Sequence, residues 1–230
     1  MRLAIGSYNI HRCVGLDGRC SPERIAEVVA EMAVDVVALQ EVDSGYFLKE
    51  GHDQLEYLAR AAGMEALAGP TMTSEVGHYG NALLTRRPAS AVRHADLSVA
   101  GKEPRGALDV DLEVDGHLIQ IVVTHLGLRR FERVKQVEQI LRTVIGAPEG
   151  GLIVVAGDFN EWRPGDHSLR PLHARFGRSR LRTFPSRRPL FAFDRILVEP
   201  RHALVELTVH DTPLARVASD HLPVKALIEY

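Results

Sequence analysis

The sequence predicts an α/β protein of mixed β-sheets with helices on their outer faces. Three observations carry this: short apolar runs of strand character recur along the chain, helical patterns separate several of them, and one pair is joined by a hairpin signal. Hairpins and helical crossovers in one chain argue against a purely parallel, doubly wound sheet. With 230 residues, 45% hydrophobic, and no linker, repeat or low-complexity tract, the chain is expected to form one domain, residues 1–230.

Strand-like runs occupy residues 3–10, 34–40, 81–85, 107–114, 118–124, 152–156, 193–198 and 223–228. After the first, SPERIAEVVAEM predicts a helix capped by Ser21, with Pro22 at its first position and Ile25, Val28, Val29 and Met32 on one face. EVDGHL joins two alternating runs through Asp115-Gly116, a two-residue hairpin. FERVKQVEQILRTVIG then predicts a second helix, with Val134, Val137, Leu141 and Val144 inward and a stop at Gly146. Arg133 and Gln136 read as its solvated face.

A formal net charge of −2 excludes the global basic field of a non-specific DNA binder, so any polyanion would need a local patch. Cys13 and Cys20 are too few for a disulfide framework or a zinc site and read as reduced thiols. The opening MRLAIGSYNIH does not read as a secretory signal, and no apolar run reaches membrane-spanning length, so a cytoplasmic location is expected.

In VVAGDFNEW an apolar run stops at Gly157, and Asp158 and Asn160 follow. Residues two apart on an extended chain point to one side, so both polar tips share one space. Other runs end in the same way: at Asn9 and His11, at Glu41 and at His125, while Asp220 and His221 precede the last run. Loops at strand ends are where scaffolds place reacting groups. The set is rich in carboxylate and amide oxygen, which suits Mg²⁺ first and Mn²⁺ or Ca²⁺ next. Mg²⁺ keeps sites free for substrate phosphate, and hydrolysis of a phosphate ester fits. The contiguous Ser219-Asp220-His221 cannot line up as a nucleophilic triad, and no G-x-S-x-G elbow exists.

SYNIH, LQEVD, GNALLT, VVTHL, GDFNEW, FDRILV and SDHLPV stand in the order and at roughly the spacing of the endonuclease/exonuclease/phosphatase superfamily, which the chain resembles over nearly its whole length. TFPSRRP before FDRILV is similar to a compact bacterial branch whose better-known relatives include lipid-headgroup phosphodiesterases. The resemblance implies a four-layer α/β/β/α sandwich and a Mg²⁺-dependent phosphoesterase, Mn²⁺ being a possible substitute. It implies Asn9 and Glu41 as the metal site, with Asp220 a further ligand. Asp158 and Asn160 would orient or deprotonate the attacking water, His221 and His125 would face the phosphate, and Asp194 would hold the His221 tautomer.

Asn81, Arg105, Arg129 and Thr183 are candidates for the substrate side. Residues 169–196 carry eight arginines and no acid before Asp194, which points to an anionic substrate: a nucleic acid, a phospholipid headgroup or an inositol phosphate. A phosphodiesterase is the leading expectation, followed by a nuclease, an inositol-phosphate-type monoesterase and a non-catalytic polyanion-binding module.

Overall fold

The computed structural model describes residues 1–47, 53–144, 151–163, 165 and 167–230. In chain order its strands are β1 (Arg2–Asn9), β2 (Val36–Ser44), β3 (Glu65–Thr73), β4 (His78–Thr85), β5 (Ala89–Asp96), β6 (Gly106–Val114), β7 (His117–His125), β8 (Leu152–Asp158), β9 (Asp194–Glu199), β10 (Leu204–Val209) and β11 (Val224–Glu229). The helices are α1 (Pro22–Met32), α2 (Gln54–Ala62), α3 (Arg130–Gln139), α4 (Arg170–Phe176) and the short α5 (Ala215–Ala218). One sheet runs β10-β11-β1-β2-β4-β3 and the other β5-β6-β7-β8-β9. Both are mixed: β1 is parallel to β2 and antiparallel to β11, while β7 is parallel to β8 and antiparallel to β6.

The sheets pack face to face through alternating residues of their strands. Leu3 and Ile5 of β1 meet Ile119, Ile121 and Val123 of β7 and Leu152, Val154 and Ala156 of β8 in one apolar cluster. The opposite face of the first sheet is covered by α1 and α2 through Ile25, Val28, Met32, Leu55 and Leu58. The second sheet is covered through Val137, Ile140, Leu172 and Phe176, from α3, its continuation and α4. The result is the four-layer α/β/β/α sandwich.

Local chemistry follows the sequence closely where short-range signals are strong. Ser21 accepts the Arg24 N–H at the start of α1, and Asp115 and Gly116 both take positive φ, 51° and 77°, between β6 and β7. That double left-handed turn matches the twist of the strands it joins. The second helix starts at Arg130, and its last turn widens to a π turn over Ile140–Val144; the expected stop, Gly146, lies outside the described residues.

One expectation is overturned. Arg133 and Gln136 are buried, at 1% exposure each, rather than solvated. Gln136 accepts the Gly127 N–H and donates to Leu97 O, and Arg133 donates to the Gly127 and Leu128 carbonyls, so both tie the β7–α3 loop to its surroundings.

Candidate active site

The rows that form the inter-sheet core end in polar tips. Ile119, Ile121 and Val123 continue to His125, Leu152, Val154 and Ala156 to Asp158, and Leu3 and Ile5 to Asn9. Side chains two apart share a face, so the rows that exclude water between the sheets also carry these groups to one rim. Register does the rest: His125 pairs with Asp158, and Asp158 with Asp194, across three adjacent strands. Gly157 permits this alignment, because a Cβ there would stand 1.8 Å from the Thr124 carbonyl oxygen.

Asp158 is the hub. Its Oδ2 accepts from Asn9 Nδ2 at 3.1 Å and lies 3.5 Å from His125 Nε2 and 3.7 Å from His221 Nε2. Its Oδ1 accepts the Asn160 N–H at 2.8 Å, which locks the two residues of GDFN in one turn with Asn160 at φ 50°. Burial raises the Asp158 pKa to about 6, against the lowering effect of His221 and of the Asn9 and Asn160 hydrogen bonds.

The two histidines differ in charge. Burial pushes His221 down, but Asp194 and Asp158 outweigh it and raise its pKa to about 10, so it is cationic at neutral pH. Its Nδ1 donates to Asp194 Oδ2 at 2.8 Å, and Thr183 donates its hydroxyl to the same oxygen. His125 is held neutral: burial, then Arg105 and His221, push its pKa well below the ordinary value. Asn160 Nδ2, fixed by Leu126 O at 3.0 Å, donates to His125 Nε2 at 3.0 Å, and Arg105 Nη1 stands 3.4 Å from His125 Nδ1.

Asn9 joins this centre to the oxygen donors. Its amide nitrogen also donates to Glu41 Oε1 at 3.1 Å, and its oxygen accepts the His11 N–H at 3.0 Å. Glu41 sits at φ 59° in the bulge where the β2–β4 register shifts, half-exposed. Asn9 is its hydrogen-bond partner among the described residues. Ser219 donates to Asn9 O at 2.8 Å and accepts the His221 N–H, so this hydroxyl fixes the loop that carries Asp220 and His221. Asp220 is partly exposed, with its Oδ1 3.9 Å from His11 Nδ1.

The substrate-side candidates separate. Arg105 lies beside His125, but Asn81 is buried and donates to the Gly106 carbonyl, and Thr183 is fully buried behind Asp194. Arg129 stands exposed at the N-terminus of α3. Two further features complete the site. Phe184 and Phe193 pack on the His221 ring at centroid distances of 4.8 and 5.9 Å. Tyr79 is buried at the start of β4, and Glu41, Glu103, Arg105 and Arg12 all act on its hydroxyl. Only the aromatic density of TFPSRRPLFAF hinted at the first.

The endonuclease/exonuclease/phosphatase family pattern matches residues 6–221. The chain belongs to that family. Protein YbhP of Escherichia coli strain K12 is 31% identical over 243 residues, covering 96% of this chain and 94% of YbhP. Among solved structures, the endonuclease/exonuclease/phosphatase of Bacteroides vulgatus superposes with a TM-score of 0.81 at 17% identity, over 100% of this chain and 99% of that one. The human Nocturnin catalytic domain, determined with a bound sulfate anion, gives 0.75 at 22% identity over 99% and 94%. These structural likenesses establish the fold. Members of the family are typically metal-dependent hydrolases of phosphoester bonds.

The residues fit a divalent cation. Asp158, Asp194 and His221 each offer a ligand atom within 4.8 Å of the others. His221 already supplies a positive charge to that trio through its own proton, however. Glu41, held through Oε1 by Asn9, is the less committed carboxylate, and carboxylate oxygen suits a hard cation. No helix among the described residues is long and apolar enough to cross a membrane.

Proposed function

We propose that residues 1–230 form one catalytic unit that hydrolyses a phosphate diester with Mg²⁺, water attacking in line with the leaving oxygen. The observation that carries this reading is the Asp194–His221 hydrogen bond, which aims a buried imidazolium into the space beside Asp158. A fixed cation there serves an anion whose charge grows in the transition state.

Asp158, with a pKa near 6, is ionised at neutral pH yet basic enough to take a proton from water. Asn160 orients that water, and His221 donates to a non-bridging phosphate oxygen. His125, neutral and backed by Arg105, faces a second oxygen. Glu41, hydrogen-bonded to Asn9, would hold Mg²⁺ with Asp220 as a further ligand, and the ion would neutralise phosphate charge and stabilise the leaving oxygen.

The test is hydrolysis of bis(p-nitrophenyl) phosphate beside p-nitrophenyl phosphate. Turnover of the diester should vanish with EDTA, return with Mg²⁺ or Mn²⁺, and fall at least about 10²-fold in His221→Ala. Full turnover in His221→Ala, or in EDTA, overturns the mechanism; preference for the monoester overturns the diester assignment. A Mg²⁺ panel of DNA, RNA, inositol phosphates and phospholipids then identifies the natural ester.

A further inference from the structure

The exposed apolar surface is concentrated where the site opens. Of the large apolar side chains exposed among the described residues, all but Val92, Leu118 and Val205 lie toward the end of the sheets that bears Asn9, His125 and Asp158. Leu128 is 65% exposed, Leu190 61% and Trp162 50%, in the loops that follow β7, precede β9 and follow β8. Scattered single apolar residues need no explanation, but a bias to one end does.

Three aromatic rings at this end each carry a cation on their face. Arg163 lies 5.5 Å from the Trp162 ring centre, Lys102 5.8 Å from Phe131, and Arg12 5.7 Å from Phe47. From Trp162 a series of rings leads inward, through Phe191 at 6.1 Å and Phe193 at 5.8 Å, to His221. Exposed charge of both signs is present, with Glu75 and Glu56 among the acids. The acids Asp17, Glu103 and Asp211 are each paired with an arginine, whereas Arg182, Arg187 and Arg188 are exposed and make no ion pair with the described residues.

We propose that this end of the molecule is a docking surface for an anionic phospholipid bilayer, seating the catalytic mouth against headgroup phosphates. Rings topped by cations suit the boundary between acyl chains and phosphates, and the projecting leucines gain from entering the apolar layer. The unpaired arginines add electrostatic attraction to anionic lipid. A second copy of the chain would bring the same arginines against one another. A nucleic acid would match the arginines and rings but leave Leu128 and Leu190 in water. Docking itself does not depend on the proposed reaction; its use in turnover rests on that reading.

Trp162 is the only tryptophan in the chain, so its emission reports docking directly. Phosphatidylcholine vesicles containing phosphatidylglycerol should shift it to the blue, brominated acyl chains should quench it, and phosphatidylcholine alone should do neither. Leu128→Glu with Leu190→Glu should weaken vesicle partitioning roughly tenfold or more while leaving soluble-diester turnover unchanged. Unchanged emission with anionic vesicles overturns the proposal, as does a response to a single-stranded oligonucleotide from a protein inert to vesicles. Vesicle binding without turnover of any diester supports the surface and overturns the catalytic reading instead.

Discussion

Asp194 Oδ2 lies 2.8 Å from His221 Nδ1 and also accepts the Thr183 hydroxyl, so a buried threonine fixes the carboxylate that fixes the imidazole. Asp194→Asn keeps the shape and removes the charge. The His221 pKa, about 10 in the parent, should fall toward the ordinary value, and turnover should drop about 10²–10⁴-fold. A raised histidine pKa contributes stability in full below its unfolded value of about 6.5, and loses it as pH rises through the folded one. The parent should therefore weaken between those limits, and Asp194→Asn should lose most of that dependence. Proton NMR titration of the metal-free protein reads the pKa; an unshifted His221 in Asp194→Asn would refute the pairing.

Asn9 donates to Glu41 and to Asp158 through one amide nitrogen, and so bridges the proposed metal side to the base. In Asn9→Ala the two carboxylates lose their shared donor. Asp158 is held up chiefly by burial and brought down partly by Asn9, so its pKa should rise further above about 6. An ionised base is required, so the acid limb of the pH–rate profile should move to higher pH, and the Mg²⁺ concentration for half-maximal rate should rise about tenfold or more. Profiles that superpose on the parent in both respects would exclude a bridging role.

Gly157 stands at φ 150°, with the Thr124 carbonyl where a Cβ would go. Gly157→Ala cannot be accommodated by a side-chain rotation, because the obstacle is backbone in the paired strand. The substitution should cost about 2–4 kcal/mol and disturb the His125–Asp158 register, lowering Tm and turnover together. Thermal melts beside diester kinetics check this; a parent-like Tm would show that β7 and β8 can separate without loss.

The sequence exposed the strand ends because each belongs to a period-two apolar row that the inter-sheet core demands, and a polar tip on such a row is conspicuous. Strands β3, β5 and β10 escaped for the opposite reason: all three are edge strands with mixed exposure, and Gly69-Pro70 inside β3 looks like a turn. Helix α2 is only nine residues long, although Asp53 caps it through the Glu56 N–H. The roles of Thr183, Phe184 and Phe193 depend on a loop folding back onto His221, and Arg133 is buried against Glu161 and Ser168, which lie far along the chain. Polar residues on a helix look solvated until such partners are known.

Arg133 meets one of those partners, Glu161, at 3.2 Å, with both side chains almost wholly buried and Ser168 donating to the same carboxylate. Arg195 Nη2 approaches the Glu161 carbonyl, so the pair braces the β7–α3 loop and the loop after β8 from beneath. Arg133→Met strands a buried carboxylate and should cost about 3–5 kcal/mol, whereas adding Glu161→Leu should recover much of the loss, because an apolar pair replaces an ionic one. Burial pushes the Glu161 pKa up, but the Ser168 hydrogen bond and Arg133 outweigh it and hold it below the ordinary value. The pair's contribution is therefore complete above the unfolded pKa of about 4.3 and disappears as pH falls through the lowered folded one. The Tm gap between parent and Arg133→Met should narrow as pH falls, because without Arg133, burial lets the stranded Glu161 carboxylate take up its proton earlier than the parent's. Melts across that range measure it; a gap that stays constant into acid would mean that Arg133 stabilises these loops through its carbonyl contacts alone.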